Sequence, residues 1–353
     1  MAELPQYYDF STVLRIDRAV EEQADRGHRQ HLGCSVIGQE CPRALWYIFR
    51  HVLTVQHPGR ILRLFARGQR EEPILSKLLR GIGCQVIEVD PNTGSQFRFS
   101  WIGGHLGGSM DAGVLGVPEA PKTWHVAEYK TSGDKPFKRL CKDGVKKAKP
   151  EHWAQMNLYM KGTGMKRALY LVVNKNDDTL YAERVEYDAA FADQMLKKAE
   201  RIITAQRPPE KISEDPSFFK CKWCDFKTIC HGIEIPEVGC RTCLHSTPET
   251  DQGARWTCAR HGNNDIPFEF QSGPKHDCDK HLYIPDLLKN VADQVDAGEW
   301  FVEYVTKSGQ KFRNGATAEA WQSSEIRAVD EEHLGDEVIG EIKDAFEGRV
   351  IPF

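Results

Sequence analysis

The stretch that most constrains this chain runs from Gly107 to Thr131, GGSMDAGVLGVPEAPKTWHVAEYKT. Two strand-like runs, 108–116 and 123–131, flank a turn-rich segment from Gly116 to Lys122, so an antiparallel pair is expected. The pair would bring Asp111, Glu128 and Lys130 to one end of a sheet. Side chains alternate along a strand, which puts Glu128 and Lys130 on the same face. A carboxylate and an ammonium on an inward face cost free energy unless they hold a metal or each other. A hairpin salt bridge and a cation site are both compatible with these residues alone, so the rest of the chain must decide.

Upstream, residues 11–26 have helical spacing, with Ser11 as N-cap. A second helix starts at Pro42, directly after Cys41, and runs to Val52. A third spans the LRLFARGQREEPILSKLLRG run and ends at Gly81 or Gly83. Strands are expected over 84–90 and 96–102. Downstream, 134–150 carries Lys135, Lys138, Arg139, Lys142, Lys146, Lys147 and Lys149 against two Asp. Two readings stay open for it: a solvated loop, or a basic strip that tracks phosphates. The helix that follows, PEHWAQMNLYMKGTG, puts Gln155 and Tyr159 on one face. Two strands joined around 176–178 and a helix over 188–205 complete this region. The tail from 284 holds a helix-like stretch and a hairpin turning at Ser308–Gly309.

These residues carry a resemblance. The Asp111…Glu128-x-Lys130 arrangement resembles the PD-(D/E)XK nuclease core. Arg67-Gly68-x3-Glu72-Pro73 is similar to the helix of phage-type alkaline exonucleases of the lambda and YqaJ group, with Glu71 as the surface alternative to Glu72. Gln155-x3-Tyr159 is similar to the motif following the E-x-K strand in RecB-like nucleases. Ser35-x5-Cys41-Pro42-Arg43 resembles the start of their iron–sulfur members. The four motifs occur in the family's order over 35–205. The family's name-giving Pro is replaced by Met110, which is not a ligand position.

The resemblance implies an α/β fold with a mixed central sheet flanked by helices. The Cys-rich insert and small C-terminal α+β appendage that follow are read from the sequence, and the resemblance does not extend to the appendage. It implies that Asp111, Glu128 and the Tyr129 carbonyl, with Glu72, bind Mg2+ or Mn2+. Lys130 would position the attacking water, Gln155 would orient Lys130 or substrate, and Tyr159 would pack on a terminal nucleotide. The implied activity is metal-dependent exonuclease cleavage of single- or double-stranded DNA ends, in phage or prokaryotic recombination, replication or DNA processing. A homo-oligomer is compatible, since lambda-type members are toroidal. The rival reading keeps the fold as a non-catalytic DNA- or protein-binding module, including a mimic of a host RecB-like or CRISPR-adaptation complex.

Seven of the eleven cysteines crowd between Cys221 and Cys278. The chain starts without a basic-then-apolar leader, so a reducing cytoplasm is expected, where clustered cysteines mean metal more often than disulfide. The resemblance implies that of a prokaryote or a phage-infected host. Cys221-x2-Cys224-x5-Cys230 offers three thiolates to one centre and leaves a place for a distant fourth. In AddB-like and CRISPR-adaptation nucleases that partner is the early cysteine. The resemblance therefore implies a [4Fe–4S] cluster on Cys41, Cys221, Cys224 and Cys230, with Zn2+ or Cys34 as alternatives. Cys240, Cys243, Cys258 and Cys278 form a second set in a segment poor in apolar residues, where Zn2+ would supply folding energy. His245, His261, His276 and His281 are substitute ligands or bystanders for it, and are read as surface residues. Three units result: a nuclease core over 1–235, a four-cysteine module over 236–283 and an appendage over 284–353. The net charge of −4 excludes a diffuse polycationic binder but not a local basic groove. No apolar run is long enough to span a membrane.

Overall fold

The computed structural model describes residues 11–25, 27–272, 278–317, 319–346 and 348–351. It opens with α1 (Thr12–Glu22), a short strand β1 (Leu32–Gly33), α2 (Pro42–Phe49) and α3 (Gly59–Gly81). Ser11 caps α1, accepting from the Leu14 amide at 3.2 Å. Pro42 fills the first turn of α2, with Cys41 at its N-cap. The strands β2 (Gln85–Ile87), β3 (Arg98–Trp101), β4 (Leu106–Ser109), β5 (Ala112–Leu115) and β6 (His125–Ser132) follow. The helices α4 (Asp134–Ala148) and α5 (Pro150–Thr163) lead to β7 (Arg167–Asn174), β8 (Leu180–Glu186) and α6 (Ala189–Thr204).

The central sheet has the order β2-β5-β6-β7-β8. Only β6 and β7 run parallel; the other neighbours are antiparallel. Parallel neighbours need a crossover, and α4 with α5 supplies it. The β7 sequence ALYLVVN is buried on both faces, as a central strand requires, whereas β8 alternates as an edge strand does. Ala127, Tyr129, Leu169 and Leu171 pack with Leu75 and Leu79 of α3 on one face. Val126, Ala168, Tyr170 and Val172 join the larger core on the other, with Trp46 of α2 and Leu158 of α5. This is the mixed, helix-flanked sheet that the resemblance implied.

Three local expectations need correcting. The strand predicted over 108–116 is two strands. β4 belongs to a small sheet ordered β1-β4-β3, β5 belongs to the central one, and Met110 and Asp111 form the step between. The strand over 84–90 shrinks to Gln85–Ile87. The basic segment 134–150 is largely a helix and not a loop, because Phe137, Leu140 and Val145 form a buried stripe beneath the lysines.

Beyond α6 lie the short helices α7 (Phe219–Lys222) and α8 (Lys227–His231). A small sheet of β9 (Ser246–Pro248), β10 (Trp256–Cys258) and β11 (Asn264–Asp265) comes next. This thiol-rich segment gives Trp256 and Ile266 to the main core. Arg241, buried over Trp256, donates to the Phe49 carbonyl at 2.7 Å and the Gln30 carbonyl at 2.8 Å. The tail forms β12 (Ala292–Ala297), β13 (Phe301–Thr306), β14 (Lys311–Gly315), α9 (Ser323–Ala328) and α10 (Glu337–Phe346) around its own apolar cluster. The predicted hairpin is β13–β14, with Gly309 at φ 92° in its turn. Among the described residues no helix is long and apolar enough to cross a membrane.

Candidate active site

Period-two alternation puts Glu128 and Lys130 on the face of β6 that meets the larger core, with Val126. Glu128 is 0% exposed. The Lys130 ammonium pairs with Glu128 Oε1 and donates to the Tyr129 carbonyl at 3.1 Å. The register Ala112↔Ala127 brings Asp111 alongside, where its Oδ2 accepts the Tyr129 amide at 2.7 Å. Glu128 Oε2 is buried and finds no hydrogen-bond partner among the described residues. Burial pushes the Glu128 carboxyl up to about 7, with the Asp111 and Glu72 charges adding and Lys130 opposing. Burial likewise raises Asp111. Glu72, reaching in from α3, is raised by burial and by Asp111. Burial works to lower Lys130, yet Glu128, Asp111 and Glu72 together hold it above the usual lysine value.

Three carboxylates raised by burial, two of them also by acidic neighbours, around one ammonium are a set short of positive charge. The hard oxygen donors and the orphaned Glu128 Oε2 fit a divalent cation of the Mg2+ or Mn2+ type. Glu71, the alternative to Glu72, pairs with Arg67 at 3.9 Å.

Gln155 and Tyr159 meet as their spacing predicts, the Gln155 amide donating to Tyr159 Oη at 3.2 Å. Tyr159 is 2% exposed and its ring packs on Phe99, 5.4 Å between centroids. The expected stacking on a nucleotide is therefore closed to it. A Cβ added at Gly108 would lie 2.6 Å from its hydroxyl. Sequence reasoning missed two residues. Ser76 of α3 donates to Tyr129 Oη at 3.3 Å. His152 Nδ1 and the Tyr170 hydroxyl share a hydrogen bond of 2.6 Å, and burial with the Lys130 charge depresses the His152 pKa to about 3. The signal for His152 was only its place, three residues before Gln155 on the same helix.

Lys135, Lys138, Arg139, Lys142, Lys146 and Lys147 all stand exposed on α4. Lys138 pairs with Asp134 at 2.8 Å, and Arg139 and Lys147 share Asp143 at 3.7 Å. Exposed pairs of this kind are weak, so phosphates can displace them.

Cys41, Cys221, Cys224 and Cys230 line one small cavity, ringed by Arg43, Lys211, Lys220 and Lys227. Cys34, the alternative to Cys41, is instead buried in the main core. Cys240, Cys243, Cys258 and Cys278 line a second cavity of about 340 Å³. Burial pushes the Cys243 thiol up to about 12, and Cys240 is raised the same way. His245 and His261 line this cavity. His281 is not a surface residue. It is buried, bonded to Ser323 Oγ at 2.7 Å and the Gly239 carbonyl at 3.1 Å. His276 lies outside the described residues. Among the described residues no three His, Cys, Asp or Glu side chains stand ready-made as a metal-binding group.

Solved structures that resemble this one include the crystal structure of SSO0001, at 19% identity and a TM-score of 0.38, covering 62% of this chain and 95% of that one. An alkaline exonuclease, LHK-Exo, from Laribacter hongkongensis shows 17% identity and a TM-score of 0.33, covering 53% of this chain and 89% of its own. The same exonuclease in complex with dAMP gives 17% and 0.32, covering 49% and 86%. Scores this low carry no weight for function. No curated protein matches the chain. The family model of the PD-(D/E)XK nuclease superfamily matches residues 8–231, well over half of the sequence and all of the carboxylate site. This chain belongs to the PD-(D/E)XK nuclease superfamily.

Proposed function

We propose that the chain is a divalent-cation-dependent DNA nuclease that works from ends as a RecB-like or phage-type exonuclease. The observation that carries this reading is the buried end of β6, where Glu128, Asp111 and Glu72 crowd around Lys130. Asp111, Glu128 and the Tyr129 carbonyl, with Glu72, would hold Mg2+ or Mn2+. Bound there, the cation would lower the pKa of a water and offset charge gathering on the phosphate. Lys130 stays an ammonium at neutral pH, so it donates to the attacking water and faces the developing negative charge rather than taking a proton. Gln155 and Tyr159 hold the wall behind Glu128, and the α4 cations track phosphates toward it. An intact carboxylate and lysine set gives the non-catalytic reading no support.

The thiol cavities extend the proposal. Cys41, Cys221, Cys224 and Cys230 would carry a [4Fe–4S] cluster, as the AddB-like resemblance implies, tying α2 to the end of the nuclease core. Four thiols in one cavity suit that cluster or Zn2+, and hydrolysis needs no electron, so its role would be structural. Cys240, Cys243, Cys258 and Cys278 would hold Zn2+ within a module over 236–283, between a core over 1–235 and an appendage over 284–353. Thiolate ligands call for a reducing, cytoplasmic setting, in a prokaryote or a phage-infected host. The test is digestion of end-labelled DNA with and without Mn2+. Cleavage that is lost in Asp111→Ala and Lys130→Ala supports the assignment, and full activity in either purified variant sinks it.

A further inference from the structure

Two aromatic side chains of the first cysteine knuckle have no place in the core. Phe219 is 63% exposed and Trp223 is 81% exposed. Single exposed apolar residues are ordinary, but these two alternate with lysines in the sequence FKCKWCDFK. Lys220 Nζ lies 5.5 Å from the Phe219 ring centroid, and Lys222 Nζ lies 5.5 Å from that of Trp223. Over 219–227 there are three lysines, Lys220, Lys222 and Lys227, against Asp225 alone. Flat faces beside ammonium groups are what an unpaired nucleotide offers partners for. The base stacks on the ring and the phosphate meets the cation. Bases inside a duplex already stack on their neighbours, so these rings select single strands.

The knuckle is joined to the carboxylate site by one packed loop. Lys220 pairs with Glu40. Lys198 ties the same loop down through the Ile37 carbonyl at 2.9 Å. Gly38 lies so close to the N-terminus of α5 that an added Cβ would be 2.6 Å from Glu151 Cα. His152, the next residue, feels the Lys130 charge. Resting on the nuclease reading above, we infer that Phe219 and Trp223, with Lys220 and Lys222, form a stacking step that binds single-stranded DNA beside the active site.

The test uses the full-length chain carrying Lys130→Ala, so that nothing is cut, and a fluorescent oligo(dT) of about 12 nucleotides. Phe219→Ala and Trp223→Ala are each expected to weaken binding roughly 5- to 100-fold. Trp223→Phe, which keeps a ring, should bind within a few fold of the parent and lose part of the tryptophan quenching seen on oligo(dT) addition. Phe219 lies outside the Cys221–Cys224 turn, so its variant separates stacking from damage to the knuckle. Circular dichroism and iron content check both. Affinity unchanged in the folded Phe219→Ala/Trp223→Ala double variant overturns the inference. An equal loss for a blunt hairpin duplex does so too, as does light scattering showing that the aromatics hold a dimer. Failure of the wild-type chain to cut DNA with any cation would overturn the nuclease reading, and oligo(dT) affinity would still report on the rings.

Discussion

Glu128 is a carboxylate placed where a core residue belongs, and among the described residues one of its oxygens has no partner. Replacing Lys130 by Ala removes the cation paired with it. Activity on end-labelled DNA should fall at least ~100-fold, the usual cost of deleting one transition-state donor. The far-ultraviolet dichroism should stay native, since a carboxyl already raised to about 7 can take up a proton. Glu72 and Glu71 make a sharper comparison. Glu72→Gln should lose most cleavage and Glu71→Gln should keep it, because only Glu72 shares the field of Asp111 and Lys130. Equal rates for the two variants would show that α3 does not supply a ligand. At this scale the sequence was informative. Strand alternation gave Glu128 and Lys130 a common face, and helical spacing joined Gln155 to Tyr159. The role of Tyr159 was misread, because exposure depends on Phe99 and Gly108, both distant in sequence.

Among the elements, the break between β4 and β5 sets the site, since Asp111 directly precedes a strand in a different sheet from the one that Ser109 leaves. Gly108, just before the break, has room for hydrogen alone against Tyr159. Gly108→Ala should destabilise the fold by about 1–3 kcal/mol, read as a lower urea midpoint. An unchanged midpoint would mean the tyrosine wall yields freely. The helix α4 presents its cations to solvent. Changing Lys142, Lys146 and Lys147 together to Gln should flatten the slope of log affinity against log salt for single-stranded DNA by about 2, since each phosphate left without its cation takes away roughly 0.7. An unaltered slope would remove α4 from the DNA path. Counting charges missed this helix because the buried stripe of Phe137, Leu140 and Val145 is sparse among so many lysines.

For the molecule as a whole, the thiol cavities and the tail decide how the parts hold together. Protein purified without oxygen should contain about four iron atoms and one zinc, with the brown colour of a cluster. Stripping any zinc held there should lower the melting temperature of the whole chain, because Ile266 lines that cavity and belongs to the main core. In the tail, Glu325 is buried between Lys343 at 2.9 Å and Arg349 at 3.1 Å. Burial opposes its charge, but Lys343 and the Val350 and Gln322 amides win, so its carboxyl sits below the usual glutamate value. A depressed folded value means that its stabilisation is present above the unfolded glutamate pKa. It is lost as pH falls through the folded one. Tail unfolding followed by hydrogen exchange should therefore begin below about pH 4.5, and Glu325→Gln should remove much of that dependence. The sequence by itself determined the order of elements, the strand that carries Glu128 and Lys130, and which cysteines come in sets. Those features follow from local periodicity and spacing, which need no partner. Only the tertiary structure decided that Asp111 steps between two sheets, that Cys41 and not Cys34 meets the late cysteines, and that Tyr159 faces inward. Each depends on packing between residues far apart in the chain, which chooses among alternatives that local sequence leaves equal.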